Sequence, residues 1–375
     1  MKLEFNEDQE LFRGAVGDLL ASAYPSVEVL NDAARSELGW RREVWSQAAE
    51  MGVLGAMVDE GYGGLGAGPL EMAAILLEVG RRLAPEPYLD CAFLPALLIG
   101  RWGSDEQKAR FLPGLAEGEL LVAFAHEESG LRWPDLACST KAGGSDGTFT
   151  ISGTKSVVPG GDCCDTLIVS AALESGGVGL FVIDVAAPGV SRAPYRTYDR
   201  RRGAEITLSG VTAEPLGAGG DATEVIRIAQ SYAVSAQCAE AVGSMEESLR
   251  LTVDYLKQRK QFGKTLSQFQ ALTHRAVDMY VALEAARSMC FYLAASLEDG
   301  VVDDVTVSRA KVVVGRAARF IGQQSVQMHG GIGITAEYTV GHHFSRLTAL
   351  GREIGTVEDH MRRLSCMVAV DGDGG

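Results

Sequence analysis

From Val225 to Phe320 apolar residues recur at three- and four-residue spacing with only two interruptions. Val225, Ala229, Tyr232, Ala236, Ala239, Val242, Met245, Leu249, Val253 and Leu256 mark one stripe. Phe269, Leu272, Ala276, Met279, Leu283, Ala286 and Cys290 mark a second, and Arg309, Val312, Arg316 and Phe320 a third. The period predicts three helices of about 25–35 residues, far beyond the usual ~11. Helices that long are stable only with long faces buried on each other, which requires a bundle.

The rest of the chain divides by the same criterion. Residues 1–118 read as helical, with Pro69 opening one helix and Ser104-Asp105-Glu106 capping another. Residues 119–216 carry short β-rich runs at 120–124, 148–151, 166–169 and 178–185, separated by Gly, Ser, Asp and Pro. Leu173-Glu174-Ser175-Gly176-Gly177 turns one run back on the next as a hairpin. Residues 217–375 hold the bundle. The expected class is α+β, mostly helical, in three domains: 1–118, 119–216 and 217–375.

Charge limits the partners. The 34 basic and 49 acidic residues leave a net charge of −15. Such a surface repels nucleic acid and anionic lipid, and any phosphate-bearing ligand needs a local basic site. The longest apolar runs, such as Cys91 to Ile99, are far short of the ~20 residues of a membrane span. The 7 cysteines are an odd number scattered through apolar stretches. That pattern and an acidic start without a signal-peptide core point to reduced thiols and the cytoplasm.

Three glycine-bearing segments compete for a functional role. Gly61-Tyr62-Gly63-Gly64-Leu65-Gly66 satisfies G-x-G-x-x-G, but Asp59-Glu60 puts two negative charges where a pyrophosphate would lie, and no second strand follows. It reads as a surface turn. Arg259-Lys260-Gln261-Phe262-Gly263 closes the first long helix, with Gly263 suited to the left-handed position just past a helix end. Arg259 offers a planar fork for phosphate and Phe262 an aromatic face, although a solvated basic helix end accounts for the same residues. Gln327-Met328-His329-Gly330-Gly331-Ile332-Gly333 offers backbone N–H groups to an anion and Gln327 to an amide edge. One helical hairpin separates the last two segments, so they can converge on one ligand. His342-His343 and Cys163-Cys164 are adjacent pairs without metal-ligand spacing. His126, at the end of the first β run, reads as a structural histidine, with a ligand-facing role as the alternative.

Together these residues resemble the acyl-CoA dehydrogenase family over nearly the whole chain. Arg259 to Gly263 with Phe269-Gln270 is similar to the family's R-x-x-F-G…Q segment, and Gln327 to Gly333 to its Q-x-x-G-G-x-G segment. Trp45…Met51 to Gly55 and Glu60 to Gly66 resemble the N-terminal helical domain, and Gly153 to Gly160 the strand that passes the flavin. The resemblance implies FAD held between a central β domain and a C-terminal four-helix bundle. Arg259, Phe262 and Gln270 would contact it across a dimer interface, with Gln327, His329, Gly330, Gly331, Thr356 and Val158 along the same cofactor. An obligate dimer or tetramer follows, with an acyl-CoA substrate and electron-transfer flavoprotein as acceptor.

The same resemblance implies a carboxylate that removes the thioester α-proton while a hydride leaves to the flavin. The family places it directly before Gly-Thr, here Ile354, or directly after the arginine of R-x-x-F-G, here Lys260. Neither residue can serve. The flavin-side Thr-Glu-Pro turn is replaced by His126-Glu127-Glu128, the flavin-side Trp by Val157, and a substrate-side arginine by Val234. Cys238 to Met245 and Gly341 to Thr348 resemble the small subunits of heteromeric enzymes of the pimeloyl-CoA and bacterial steroid side-chain type. The expectation is therefore a subunit that pairs with a homologous base-bearing chain. The alternatives are a self-sufficient enzyme using Glu353, a flavin-free scaffold, and an oxygen-using flavoenzyme on the same fold.

Overall fold

The structure is a computed structural model that describes residues 4–145 and 148–372. Six helices come first: α1 Glu7–Ala23, α2 Val27–Arg35, α3 Arg42–Glu50, α4 Pro69–Arg82, α5 Leu94–Trp102 and α6 Asp105–Ala116. Seven strands follow: β1 Val122–Ala125, β2 Lys141–Ser145, β3 Thr148–Pro159, β4 Thr166–Leu173, β5 Val178–Asp184, β6 Val190–Arg196 and β7 Arg202–Pro215. The long helices are α7 Thr223–Gln258, α8 Gln270–Glu298 and α9 Asp304–His329, with the short strands β8 Lys260–Gln261 and β9 Lys264–Thr265 between the first two. Helices α10 Thr339–Leu350 and α11 Val357–Gly372 close the chain. Helices give way to strands between Ala116 and Val122, and strands to helices between Pro215 and Thr223.

By compactness the chain forms two units, neither continuous in sequence. The first comprises 1–32, 69–84 and 234–375, and the second 33–68 and 85–233. In the first, α9 packs on α8, α10 and α11, and α4 packs on α1 and α8. Two glycines let α4 approach α7. A Cβ on Gly80 would lie 1.9 Å from the Glu240 carbonyl oxygen, and one on Gly243 would lie 1.8 Å from that of Leu77. A Gly243→Ala chain must push the helices apart, so a loss of about 3 kcal/mol is expected in urea unfolding. An unchanged midpoint would contradict this packing.

In the second unit the strands close on themselves. Strand β4 pairs with β5, and with β1 and β2 in parallel; β3 joins β2 to β7, and β7 pairs with β5 and β6. The strands β5-β4-β2-β3-β7 form a ring in which Ile168, Val169, Ile206 and Val211 are all essentially inaccessible, successive residues facing opposite sides of the sheet. Ser104 caps α6 through a reciprocal box with Gln107, and the β4–β5 hairpin turns at 174–177, both as the sequence predicts. Glu60–Tyr62 is one turn of 3₁₀ helix, with no strand before it among the described residues, so the G-x-G-x-x-G match has no dinucleotide context. No helix among the described residues is long and apolar enough to cross a membrane.

Candidate functional site

In the first unit the two glycine-bearing segments meet at one end of the bundle. The Tyr255 ring, one turn before the end of α7, packs 4.5 Å from the His329 ring at the end of α9. Beyond Tyr255, Arg259 N donates to the Tyr255 carbonyl at 2.8 Å, and Leu266 N donates to the Arg259 carbonyl at 2.9 Å. Between them β8 and β9 form a tight hairpin with Phe262 at φ 53° and Gly263 at φ 80°. Two successive left-handed residues define a type I′ turn. Gly263 is therefore the second residue of a hairpin and not the residue past the helix end, because α7 stops at Gln258 and a ladder intervenes. The turn holds Phe262 out at 90 % exposure, with its ring 6.3 Å from Phe269.

Arg259, Gln270, Gln327, Gly330 and Gly331 are all accessible at this end. A Cβ on either of the paired glycines would meet nothing within 4 Å, so the turn is open on its outer side. His329 behaves differently. It is buried, its Nδ1 donates to the Ser325 carbonyl at 2.7 Å, and its Nε2 accepts from the Tyr338 hydroxyl at 3.2 Å. Both ring nitrogens are committed inside the chain, and burial holds its pKa below the ordinary value. His329 braces the turn.

The loop before α11 is fixed from four sides. Lys311, buried in the valine-rich face of α9, donates to Gln237 Oε1 at 3.0 Å, the Leu350 carbonyl at 2.7 Å and the Glu353 carbonyl at 2.8 Å. Those three bonds use all its protons, and burial lowers its pKa. The Glu353 carboxylate accepts from Gln237 Nε2 at 3.0 Å and from Arg346 at 3.1 Å. Arg346 also grips buried Glu240 through two bonds of 2.7 and 2.8 Å. His360 Nε2 donates to the Ile354 carbonyl at 2.9 Å, which leaves Nδ1 to accept from Ser308 at 3.1 Å. Thr356 caps α11, exchanging bonds with Asp359. Within this frame Ile354 sits at φ 50°, a costly conformation for a β-branched residue that only an over-determined loop sustains.

In the second unit, β1 ends on a buried polar network. Lys155, fully inaccessible, donates to Glu128 at 2.7 Å, Ser170 at 3.0 Å and the His126 carbonyl at 3.1 Å. Burial pushes the Glu128 carboxyl up, but hydrogen bonds from Lys155, Ser139 and Thr140 outweigh it and hold it at about 2. His126 Nδ1 lies 2.9 Å from Ser170 Oγ, while its Nε2 is buried without a partner. It is an interior histidine, as its position at a strand end suggests. Val157 is half exposed and bridges Glu127, whereas Val158 is fully buried. The side chain of Val158 packs inward, so only its backbone could meet a ligand.

Three buried histidines set the acid behaviour. Burial lowers His126 and His360 to about 4 and His343 to about 3, from 6.5. Each stays neutral when folded, so the unfolded chain takes up protons first as pH falls below 6.5. The stability they contribute is present above that value and is lost as pH drops towards 4, at up to ~1.4 kcal/mol per pH unit each. Glu128 adds a further loss below 4.5. The melting temperature is expected to fall steeply between pH 6.5 and 4.5, and a flat profile would contradict the assignment.

Sequence reasoning missed Lys311, Arg346, Gln237 and His360. The one available signal was Lys311 inside the run Ala310-Lys311-Val312-Val313-Val314. Among the described residues no group of His, Cys, Asp or Glu could hold a metal ion.

Comparison with known proteins places the chain. Residues 6–119 match the acyl-CoA dehydrogenase N-terminal domain and residues 235–365 the C-terminal domain. Acyl-CoA dehydrogenase FadE12 of Mycobacterium tuberculosis is 30% identical over 377 residues, covering 93% of this chain and 94% of that protein. Among solved structures, a variant of the Tcur3481-Tcur3483 steroid ACAD superposes with a TM-score of 0.90 at 29% identity, covering 98% of this chain and 99% of that one. The ChsE4-ChsE5 complex of Mycobacterium tuberculosis shares the fold at 0.89 and 24% identity, with 98% and 99% covered. The chain belongs to the acyl-CoA dehydrogenase family of FAD-dependent oxidoreductases.

Proposed function

We propose that this chain is the subunit of a heteromeric acyl-CoA dehydrogenase that binds FAD and lacks the catalytic carboxylate, which a homologous partner provides. The observation that carries the reading is the state of the loop before α11. Ile354 occupies the position of one family base, and the acid beside it, Glu353, has its oxygens engaged by Gln237 and Arg346. The other base position is Lys260, an exposed residue of the β8–β9 hairpin. Similarity to a steroid ACAD and to the ChsE4-ChsE5 complex supports a two-chain assembly.

The accessible residues of the bundle end fit FAD. Arg259 supplies a guanidinium for a diphosphate, Phe262 an apolar face, Gln270 and Gln327 amides for a ring edge, and Gly330-Gly331 an open backbone turn. Thr356 stands at the α11 N-terminus with its hydroxyl and its backbone N–H both engaged with Asp359, so its part is to fix the loop. When bound, FAD supplies the acceptor for the hydride that leaves the acyl β-carbon. The chain's own contribution is to hold and orient: Lys311, Arg346 and His360 fix the loop, and Tyr255 with His329 fixes the glycine turn. The assembly is a dimer or tetramer that takes an acyl-CoA and passes electrons to electron-transfer flavoprotein.

Co-purification of the chain with and without a base-bearing homologue tests the reading. Flavin absorbance near ~450 nm should appear in the assembly, and turnover should require both chains. A Glu353→Gln chain assembled with its partner should retain flavin reduction. Loss of reduction in that variant, with flavin still bound, would favour the self-sufficient enzyme.

A further inference from the structure

Three of the 7 cysteines gather at one place in the second unit that nothing described above uses. Cys91 lies in a π-helical turn, Leu89–Phe93, ahead of α5. Cys163 and Cys164 lie in the turn that joins β3 to β4. Gly160 is where they meet. Its φ of 69° suits glycine, and a Cβ there would stand 2.2 Å from Cys91 Sγ, so the Cys91 thiol fills the space that another side chain would take. The Gly160 carbonyl accepts from Cys163 N at 3.1 Å, Cys164 N at 3.0 Å and Cys163 Sγ at 3.5 Å. The turn thus wraps the Cys91 sulfur, and the Cys91 thiol is hydrogen-bonded to that of Cys163.

The three thiols differ in access. Cys163 is half-buried, whereas Cys91 and Cys164 are buried. The hydrogen bond to Cys163, followed by burial, holds the Cys91 proton well above the usual thiol range, and burial pushes Cys164 up to about 12. A thiol held protonated does not meet an oxidant as thiolate, so the accessible Cys163 reacts first and Cys91 resolves. Cys164 is badly placed as the resolving partner. Adjacent Cα atoms stand about 3.8 Å apart across a trans peptide, under the ~4.4 Å that a disulfide needs. Arg192 anchors the turn through the Cys164 carbonyl at 3.0 Å, and Arg202 through the Asp162 carboxylate at 2.7 Å. Neither bond uses a sulfur. Asp90, Asp162 and Asp165 flank the thiols in sequence, which favours a small neutral oxidant over an anionic one such as oxidised glutathione. Among the described residues no cluster, this one included, has the geometry of a metal site.

We propose that Cys91 and Cys163 are a redox pair that hydrogen peroxide converts to a disulfide, tying the π-helical turn to the exit of β3. The Cys163 sulfur attacks one peroxide oxygen and the O–O bond breaks, giving a sulfenic acid and hydroxide, which takes the Cys163 proton as water. The Cys91 sulfur then attacks the Cys163 sulfur, the S–O bond breaks, and the departing hydroxide takes the Cys91 proton. Two thiols lose two electrons and two protons, and one peroxide becomes two waters. The bond closes a loop of roughly 70 residues, so it should raise the melting temperature by roughly 5–10 °C and slow amide exchange through 159–165. The pair forms whether or not another chain supplies the base.

The test treats the full chain, alone and in its FAD-loaded assembly, with a small excess of hydrogen peroxide. A Cys366→Ser background removes an exposed thiol. Peptide mapping without reduction should find positions 91 and 163 linked, two free thiols fewer per chain, and a melting rise that dithiothreitol reverses. Cys163→Ser should abolish the link and the rise while leaving the reduced chain's melting near that of its parent, and Cys91→Ala checks the pair from the buried side. Treated protein in which both thiols still alkylate overturns the pair. So does Cys163 carried on to sulfinic acid with Cys91 free, a bridge between Cys163 and Cys164, or a melting rise that survives both variants. If Cys91→Ala fails to fold, the Cys163→Ser comparison decides alone.

Discussion

An Arg346→Leu chain is expected to lose about 3–5 kcal/mol of stability, a large share of the roughly 5–15 kcal/mol by which folded proteins are stable. Arg346 bridges Glu240 and Glu353. Glu240 is 3% exposed, so removing its partner strands a carboxylate away from water. The larger cost comes from that stranded charge and not from the lost attraction, because paired charges in an interior roughly break even with apolar packing. The variant should also release Glu353 and loosen the loop around Ile354. Chemical unfolding gives the first effect, and proteolysis within 351–356 reports the second. A loss under about 1 kcal/mol would show that Glu240 finds water or another donor. A double variant, Arg346→Leu with Glu240→Met, should recover much of the loss, which a purely packing role for Arg346 would not allow.

A Lys155→Met chain should suffer comparably, by about 3–5 kcal/mol, through the second unit. Lys155 donates to Glu128, Ser170 and the His126 carbonyl from a position with no solvent access. Without it Glu128 keeps its bonds from Ser139 and Thr140 but loses its charge partner, and the depressed carboxyl must rise. Acid stability should therefore change in sign-specific fashion. The wild-type chain loses the Glu128 contribution only as pH falls from 4.5 towards 2, whereas the variant never has it. Urea unfolding at pH 7 and pH 4 checks both parts: the wild-type advantage should shrink at the lower pH. An equal gap at the two values would mean that Glu128 is not the group left unpaired.

Much of the architecture was legible because it rests on periodicity. The stripes at Val225–Leu256, Phe269–Cys290 and Arg309–Phe320 became α7, α8 and α9, and the caps at Pro69 and Ser104 stand where helices start. Strands were less legible. Strand β7, flanked by β3 and β6 on both sides, does carry an alternating signal in Ala204-Glu205-Ile206-Thr207-Leu208-Ser209, which the expected β-rich runs did not include. Strand β6 is mostly exposed and includes Pro194, so it lacked both an apolar face and a continuous pattern. The hairpin after α7 was hidden because Phe262-Gly263 is not the Asn-Gly or Asp-Gly pair that announces a type I′ turn.

The site was legible in parts for a related reason. Accessible candidates such as Arg259, Gln327 and the paired glycines are visible as motifs, because their neighbours in sequence are their neighbours in space. The clamp on the 351–356 loop joins Gln237, Lys311, Arg346 and His360 from four helices, and no local pattern announces such an encounter. His329 lay inside a motif and still proved to be an interior brace, since a motif gives a residue's place without its side-chain partners.

The central claim is that this polypeptide lacks a working proton acceptor of its own. Anaerobic mixing of the FAD-loaded chain with an acyl-CoA, followed by absorbance near ~450 nm, tests it most directly. The account expects no bleaching from the chain alone and prompt bleaching once a homologue with glutamate at either vacant position is added. Full bleaching by the single chain, abolished by Glu353→Gln, would contradict it.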